Sequence, residues 1–357
     1  MKRLALLVCV AACTRPAEDR AEQELAVGTA AITDASVEVA GGLAAVRELT
    51  DHRLELWANA PVLDISFTLG TTAGGDWTIT VRNTLADAVL TADDTTFTRD
   101  ADQHPTVGIF HVTLGAGSHA LRVAPPDAAV VEPFTVVAMA DIQTAMPDVD
   151  DVFEKISAVA GARFVVSMGD ITDRSELDEY ELFDRQLTTL TIPYYTTLGN
   201  HELWADPSRY FDRYGRASFQ FDFKGAAFTF VDSGDAGVDP LVETWLDGWL
   251  DRARDRTNIF LTHIPPIDPI GVRYGGFRSA QDGRRLLARL ADANVDLTLY
   301  GHIHTYIEFE NAGIPAYISG GGGADPMKWD GIDRHFLVVT VDPTTDAAPK
   351  VEVVRVD

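Results

Sequence analysis

Cysteine is nearly absent from this 357-residue chain: its two cysteines, Cys9 and Cys13, both lie in the first thirteen residues. The body of the chain therefore has no thiols with which to staple a fold by disulfides, hold a metal or run redox chemistry. Positive charge is also scarce, with 29 Lys and Arg against 54 Asp and Glu and a formal net charge of -25. Such a field repels the phosphate backbone of long nucleic acids and argues against them as partners. Apolar runs long enough to cross a bilayer, about 20 residues, are missing, and no internal repeat is evident. What remains is the composition of a folded protein, 46% hydrophobic and 23% charged, in a chain long enough for a large domain and a smaller companion. A centre that handled anions in so acidic a chain would need local positive potential, which metal ions supply more directly than scattered arginines.

The first residues carry their own signal. Lys2 and Arg3 precede the apolar stretch Leu4 to Ala12, the order of a secretory signal. The stretch closes on Val10, Ala11, Ala12 and Cys13, which resembles the lipobox of bacterial lipoproteins and implies a cell-envelope protein attached to a membrane through lipid on Cys13. Residues 14–35 are rich in Ala, Glu and Asp without alternation, which suits a solvated tether with no fold of its own.

Residues 36–130 read as short alternating strands around Leu54 to Trp57, Val62 to Leu69, Trp77 to Val81, Gly108 to Leu114 and Ala120 to Val123, separated by Gly, Asp and Asn clusters. That spacing suggests a small antiparallel β-sandwich. Its role is open between a brace for the rest of the chain and a surface-binding unit. His52, His104, His111 and His119 lack ligand-like spacing and read as ordinary strand or surface residues.

From 131 to 357 apolar strands alternate with helical stretches, the mark of an α/β layered domain. Five strands end alike: in Asp141, in Asp170, in Asn200 and His201, in His263, and in His302 and His304. Ligands in such sheets gather beyond the carboxyl ends of strands, and carboxylate, amide and imidazole are groups that manganese, iron and zinc accept. Glycines 169, 199 and 301 each precede one of these polar residues, where a missing β-carbon permits a sharp turn and close approach.

The series Asp141-Ile-Gln143, Gly169-Asp170-Ile-Thr-Asp173, Gly199-Asn200-His201-Glu202, Thr262-His263 and Gly301-His302-Ile-His304 resembles the motif set of the calcineurin-like metallophosphoesterases. The resemblance implies a two-sheet core flanked by helices and a pair of divalent or trivalent metal ions (Mn, Fe or Zn). Carried over residue by residue, Asp141, Asp170 and His304 hold one metal, Asp170, Asn200, His263 and His302 hold the other, and Asp170 bridges them. A hydroxide activated between metals roughly 3.5 to 4 Å apart would then attack a small phosphate mono- or diester. His201 is left unliganded as the transition-state donor, with Glu202 to orient it. Gln143 stands where the commonest first motif has histidine; an amide oxygen binds a hard metal more weakly, which favours manganese or iron at that site. Asp173 stands where purple acid phosphatases place a tyrosine ligand. Arg273, Tyr274 and Arg278, in a Gly-rich loop after His263, are candidate substrate contacts. Trp204, Tyr210, Phe211 and Tyr214 either wall a pocket or pack the loop, and glycines 320–323 suit a tight turn. The alternative to hydrolysis is a catalytically silent surface lipoprotein that keeps the fold for binding; retention of His201 beside the complete second ligand set favours the enzyme.

The anchor has a direct test. Cys13→Ser is expected to abolish incorporation of labelled palmitate and leave the precursor uncleaved; normal processing of that variant would refute the lipobox reading.

Overall fold

The computed structural model describes residues 16–93, 95–101, 103–272, 274–327 and 330–356. Cys9, Cys13 and Arg273 lie outside the described residues, so the anchor and one candidate substrate contact have no structural account. No helix among the described residues is long and apolar enough to cross a membrane.

The chain begins with α1 (Pro16–Glu24), then β1 (Thr29–Ile32), β2 (Ala35–Val39), β3 (Ala44–Thr50), β4 (Arg53–Ala58), β5 (Leu63–Leu69), β6 (Gly75–Arg82), β7 (Val89–Ala92), β8 (Thr95–Phe97), β9 (Val107–Leu114) and β10 (Gly117–Ala124). The strands form two sheets, of order β1-β2-β5-β10-β7-β8 and β3-β4-β6-β9. In β5 alternate residues Leu63, Ile65, Phe67 and Leu69 are buried, and they meet Leu54, Leu56, Trp77 and Ile79 of the second sheet in one core. An all-antiparallel sandwich was the expectation; instead β4 pairs in parallel with β6. Parallel neighbours need a crossover connection, and β5 provides it by passing through the opposite sheet.

The remaining elements are β11 (Phe134–Met139), α2 (Asp150–Ser157), β12 (Ala162–Ser167), α3 (Leu177–Gln186), β13 (Tyr194–Thr196), α4 (Ser208–Tyr214), β14 (Phe219–Phe223), β15 (Ala226–Val231), α5 (Pro240–Ala253), β16 (Thr257–Thr262), α6 (Ala280–Asp292), β17 (Leu297–Tyr300), β18 (Tyr306–Asn311), β19 (Ile314–Ser319), β20 (His335–Val341) and β21 (Lys350–Arg355). They build a 5-stranded sheet, β13-β12-β11-β20-β21, and a 6-stranded sheet, β14-β15-β16-β17-β19-β18. Because side chains alternate across a strand, one sequence serves two layers. Val136 and Ala138 of β11 face the other sheet, where Phe164 meets Phe223 and Phe228 edge-on. Val137 and Met139 face outward onto Val152, Phe153 and Ile156 of α2 and Phe183 of α3. On the far side Val231 and Phe260 pack with Leu246 of α5 and Leu287 of α6. The result is the helix, sheet, sheet, helix core expected from the motif series, preceded by the all-β region.

Two features were not legible. Of the tether expected at 14–35, residues 16–35 are folded: α1 forms there and packs on the core. Arg20, only 4% exposed, pairs with Asp232 at 2.6 Å and Asp235 at 2.8 Å, and Glu24 accepts the Ser218 N–H at 2.8 Å. The helix is held by buried polar partners rather than by an apolar stripe, so hydropathy could not reveal it. The second is how the β-region meets the edge of the 5-stranded sheet. The amide of Asn83 donates to the carbonyls of Ala58 and Tyr194, both at 2.8 Å, and accepts the Tyr194 N–H at 2.7 Å. Asn59 accepts the Thr196 N–H at 3.0 Å. Side-chain amides thus take the place of a further strand on the free edge of β13. Asn83→Ala is expected to leave these buried groups unpaired and to lower unfolding free energy by about 3 kcal/mol, read as a lower urea midpoint at unchanged slope; an unchanged midpoint would show that the amide is dispensable.

Candidate metal centre

The site is assembled where backbone strain accumulates. Asp141 (φ 64°), Gln143 (φ 46°), Asp170 (φ 54°) and His302 (φ 69°) all adopt the left-handed conformation, which costs a residue other than glycine of order 1 kcal/mol or more and persists where surrounding structure imposes it. Here the loops after β11 and β12 are laced together, Asp141 N–H donating to Gly169 O at 3.1 Å and Ile142 N–H to Asp170 O at 2.9 Å. Close approach removes room for side chains. A β-carbon at Gly199 would lie 2.1 Å from Asp170 Oδ1, and one at Gly301 would lie 2.8 Å from Asp141 Oδ2.

The side chains converge as the motif order implied. Oxygens of Asp141 and Asp170 and a ring nitrogen of His263, all three residues buried, lie within 4.8 Å of one another. His263 Nε2 stands 3.2 Å from Asp170 Oδ2 and 3.0 Å from Asn200 Oδ1. His304 Nε2 is 3.4 Å from Asp141 Oδ1, and the His302 ring centre is 5.2 Å from that of His263. All four motif histidines have one ring nitrogen within hydrogen-bond distance of a main-chain carbonyl: His201 Nδ1 with Asp173 O at 2.6 Å, His263 Nδ1 with Met168 O at 2.7 Å, His302 Nε2 with Tyr274 O at 2.9 Å and His304 Nδ1 with Asp325 O at 2.7 Å. A nitrogen that donates to a carbonyl carries the proton and leaves the other nitrogen's lone pair free, the arrangement that metal-binding imidazoles use.

The electrostatics ask for a cation. Burial disfavours the Asp170 carboxylate, yet His263 and then His201 hold it well below the usual carboxylate range. Burial likewise opposes charge on His263, but Asp170 pushes it up to about 9. His304 is raised by Asp141 against its burial, and His302 is lowered by burial and by His263. Two buried acids within reach of imidazole and amide donors fit divalent metal better than they fit a proton.

Three sequence expectations meet this geometry differently. Glu202 does not orient His201. It is fully buried and turned into the backbone, accepting N–H bonds from Gly199 at 2.7 Å, Asp170 at 3.0 Å and Thr172 at 2.9 Å. The Asp173 carbonyl, which has no signature in sequence, fixes His201 instead, and Trp204 stacks on its ring at 5.2 Å. Gln143 enters the site but turns its amide nitrogen to Asp170 Oδ2 at 2.7 Å; its oxygen would face a metal after an amide flip. Of the aromatic set, Tyr210, Phe211 and Tyr214 are buried packing, while Trp204 is exposed. Tyr274 and Arg278 line a cleft of about 830 Å³ that opens beside Asn200 and His302. Gly321 and Gly322 close a turn against the centre, with Gly322 N–H bonded to Ala140 O at 2.9 Å.

Comparison with known proteins bears on what this geometry is for. The family model described as calcineurin-like phosphoesterase matches residues 134–306, a span containing the five motifs. Residues 134–306 form a calcineurin-like phosphoesterase domain. The chain is also 27% identical over 153 residues to a probable glycerophosphodiester phosphodiesterase, GpdQ, of Arcobacter nitrofigilis, covering 39% of this chain and 56% of that protein, so it spans little more than half of that relative's length. Among solved structures it is similar to the Plasmodium inner-membrane-complex anchor GAP50 (17% identity, TM-score 0.48, 63% of this chain and 85% of that one). It is similar also to a dimetal phosphatase of Danio rerio (13%, 0.45, 63% and 99%) and to PhoD (11%, 0.46, 83% and 87%).

Within the phosphoesterase domain, Glu202 ties together the backbone of two metal-motif loops. Glu202→Gln is expected to set an amide N–H against those donors, to lower stability by about 2 kcal/mol and to reduce metal content, measured by urea unfolding and elemental analysis. Parent-like stability and metal content would show that the carboxylate does not organise the loops.

Proposed function

We propose that this chain hydrolyses small phosphate mono- or diesters with a pair of metal ions. The observation that carries the reading is the set of histidines clamped by carbonyls around two buried carboxylates. In this reading Asp141, Gln143, Asp170 and His304 hold one ion, and Asp170, Asn200, His263 and His302 hold the other. Bound there, the ions supply Lewis acidity toward phosphoryl oxygens and lower the pKa of water.

The chain's own groups do the rest. His201 stands with Nε2 3.9 Å from Asp170 Oδ2, its other nitrogen fixed on Asp173 O. That leaves Nε2 to stabilise charge on the transferring phosphoryl group and to hand a proton to the departing alkoxide oxygen. Trp204, stacked on the ring, limits its rotation. Tyr274 and Arg278 lie along the cleft, where the organic part of the ester would extend. Lipid on Cys13 would place α1, which begins three positions later at Pro16, next to the membrane, and its packing on α5 would hold the phosphoesterase domain near that surface.

His201→Ala tests the assignment. Metal content should stay near that of the parent, while the rate falls roughly a hundredfold to ten-thousandfold. The loss should be larger for an alkyl phosphate than for a nitrophenyl phosphate, whose leaving group needs little protonation. Equal losses on both substrates would favour charge stabilisation over proton donation, and an unchanged rate on both would remove His201 from the mechanism.

A further inference from the structure

The cleft beside the metal centre has a charge pattern at odds with the chain around it. Besides Asn200 and His302 its lining includes the apolar residues Ile264, Pro266, Ile267, Val272 and Phe277. Four charged side chains also line it: Asp235, Asp268, Arg278 and Arg284. Both carboxylates are already engaged. Asp235 is held by the buried Arg20 of α1 at 2.8 Å, and Asp268 Oδ1 accepts the N–H groups of Ile270 at 2.8 Å and Gly271 at 2.9 Å. The arginines are held loosely or not at all. Arg278, with its side chain 78% exposed, meets a carboxylate only at 4.0 Å, from Asp235, and the Arg284 side chain has no hydrogen bond or ion pair among the described residues. In a chain of net charge -25, with acids enough to pair every arginine, two guanidinium groups so weakly paired in one cleft are unexpected. The cleft also ends at Ala280, the first residue of α6, whose amino-terminal end adds partial positive charge.

We propose that this cleft is a subsite for a second negative charge on the substrate. Resting on the phosphoesterase reading, this narrows the substrate class to phosphate esters whose organic part is apolar next to the phosphorus and carries a carboxylate or a further phosphate at its far end. The phosphate lies at the metal centre, the apolar segment lies against Pro266, Ile267 and Phe277, and the distal anion meets Arg278 and Arg284. Arg20 contributes from behind: it pairs with Asp235 at 2.8 Å, so the 4.0 Å contact of that carboxylate with Arg278 is the weaker of the two.

The test uses binding, so that it does not depend on turnover. The manganese-loaded full chain is titrated calorimetrically with alkylphosphonates of increasing length, each paired with its ω-carboxylated counterpart. At the length that matches the cleft, the carboxylated member should bind roughly three- to tenfold more tightly than its neutral partner, the range of a partly exposed arginine–carboxylate contact. The advantage should shrink at high salt and vanish in the Arg278→Gln/Arg284→Gln double variant, whose exposed substitutions spare the core. An α,ω-diphosphonate series that gains more than the carboxylates would support the proposal and assign the distal group as phosphate. Equal affinities within every pair in the parent, or an advantage that survives in the double variant, overturn the subsite while phosphonate binding leaves the phosphoesterase reading standing. Failure of every phosphonate to bind, with no hydrolysis of aryl phosphates, overturns both.

Discussion

Asp170 is a carboxylate with almost no contact with water, and much of the surrounding structure can be read as the arrangement needed to keep it ionised. Its Oδ1 accepts the main-chain N–H of His201 and its Oδ2 faces His263 and Gln143. A buried charge of this kind is costly unless it is paired and hydrogen-bonded. The pairing here draws groups from the ends of different strands, so the two sheets, the left-handed turn at Asp170 and the absent β-carbon at Gly199 are tied to one carboxylate, while Gly301 makes the same room beside Asp141. The same constraint explains Glu202, a second buried acid a few ångströms behind the first. Burial and the nearby Asp170 raise its pKa, and it offsets that cost by accepting the loop N–H groups that shape the turn.

The support extends well beyond the strand ends. Side-chain amides of Asn59 and Asn83 complete the edge of β13, and Arg47 of β3 lies over the Trp57 ring while donating to Arg213 O. The β-region is thereby joined to the strand that leads directly into Asn200 and His201. On the opposite side, α1 inserts Arg20 between Asp232 and Asp235 at the end of β15, and the turn they form packs against Gly199. Elements far from the chemistry in sequence thus restrain the loops that carry it. They also set local charge, since the same Arg20 pairs with Asp235, which lines the cleft beside Arg278.

Legibility in the sequence followed the range of each interaction. The strand ends at Asp141, Asp170, Asn200, His263 and His302 were readable because each couples an apolar run to a short polar motif within a few residues, and so were the five strands that lead into them and the helices between, whereas β14, β15 and the strands after Tyr300 were not. The parallel pairing of β4 with β6 was not, because it depends on which sheet receives the intervening β5. The helix α1 was missed because its buried face is charged and its partners lie some two hundred residues away. Glu202 was misjudged because adjacency to His201 suggested contact, whereas Glu202 is taken up by main-chain N–H groups and His201 by the Asp173 carbonyl.

The sequence by itself determined the chemistry available: which strand ends carry carboxylate, amide and imidazole groups, and that the chain as a whole is acidic. Residue identity and local spacing are enough for that. Only the tertiary structure decided how those groups are used. Main-chain carbonyls select the protonated nitrogen of each imidazole, and a carbonyl has no identity in sequence. The engagement of Asp235 by Arg20, and the weak pairing this leaves to Arg278, likewise depend on distances between segments that are remote along the chain, and no local pattern encodes a distance.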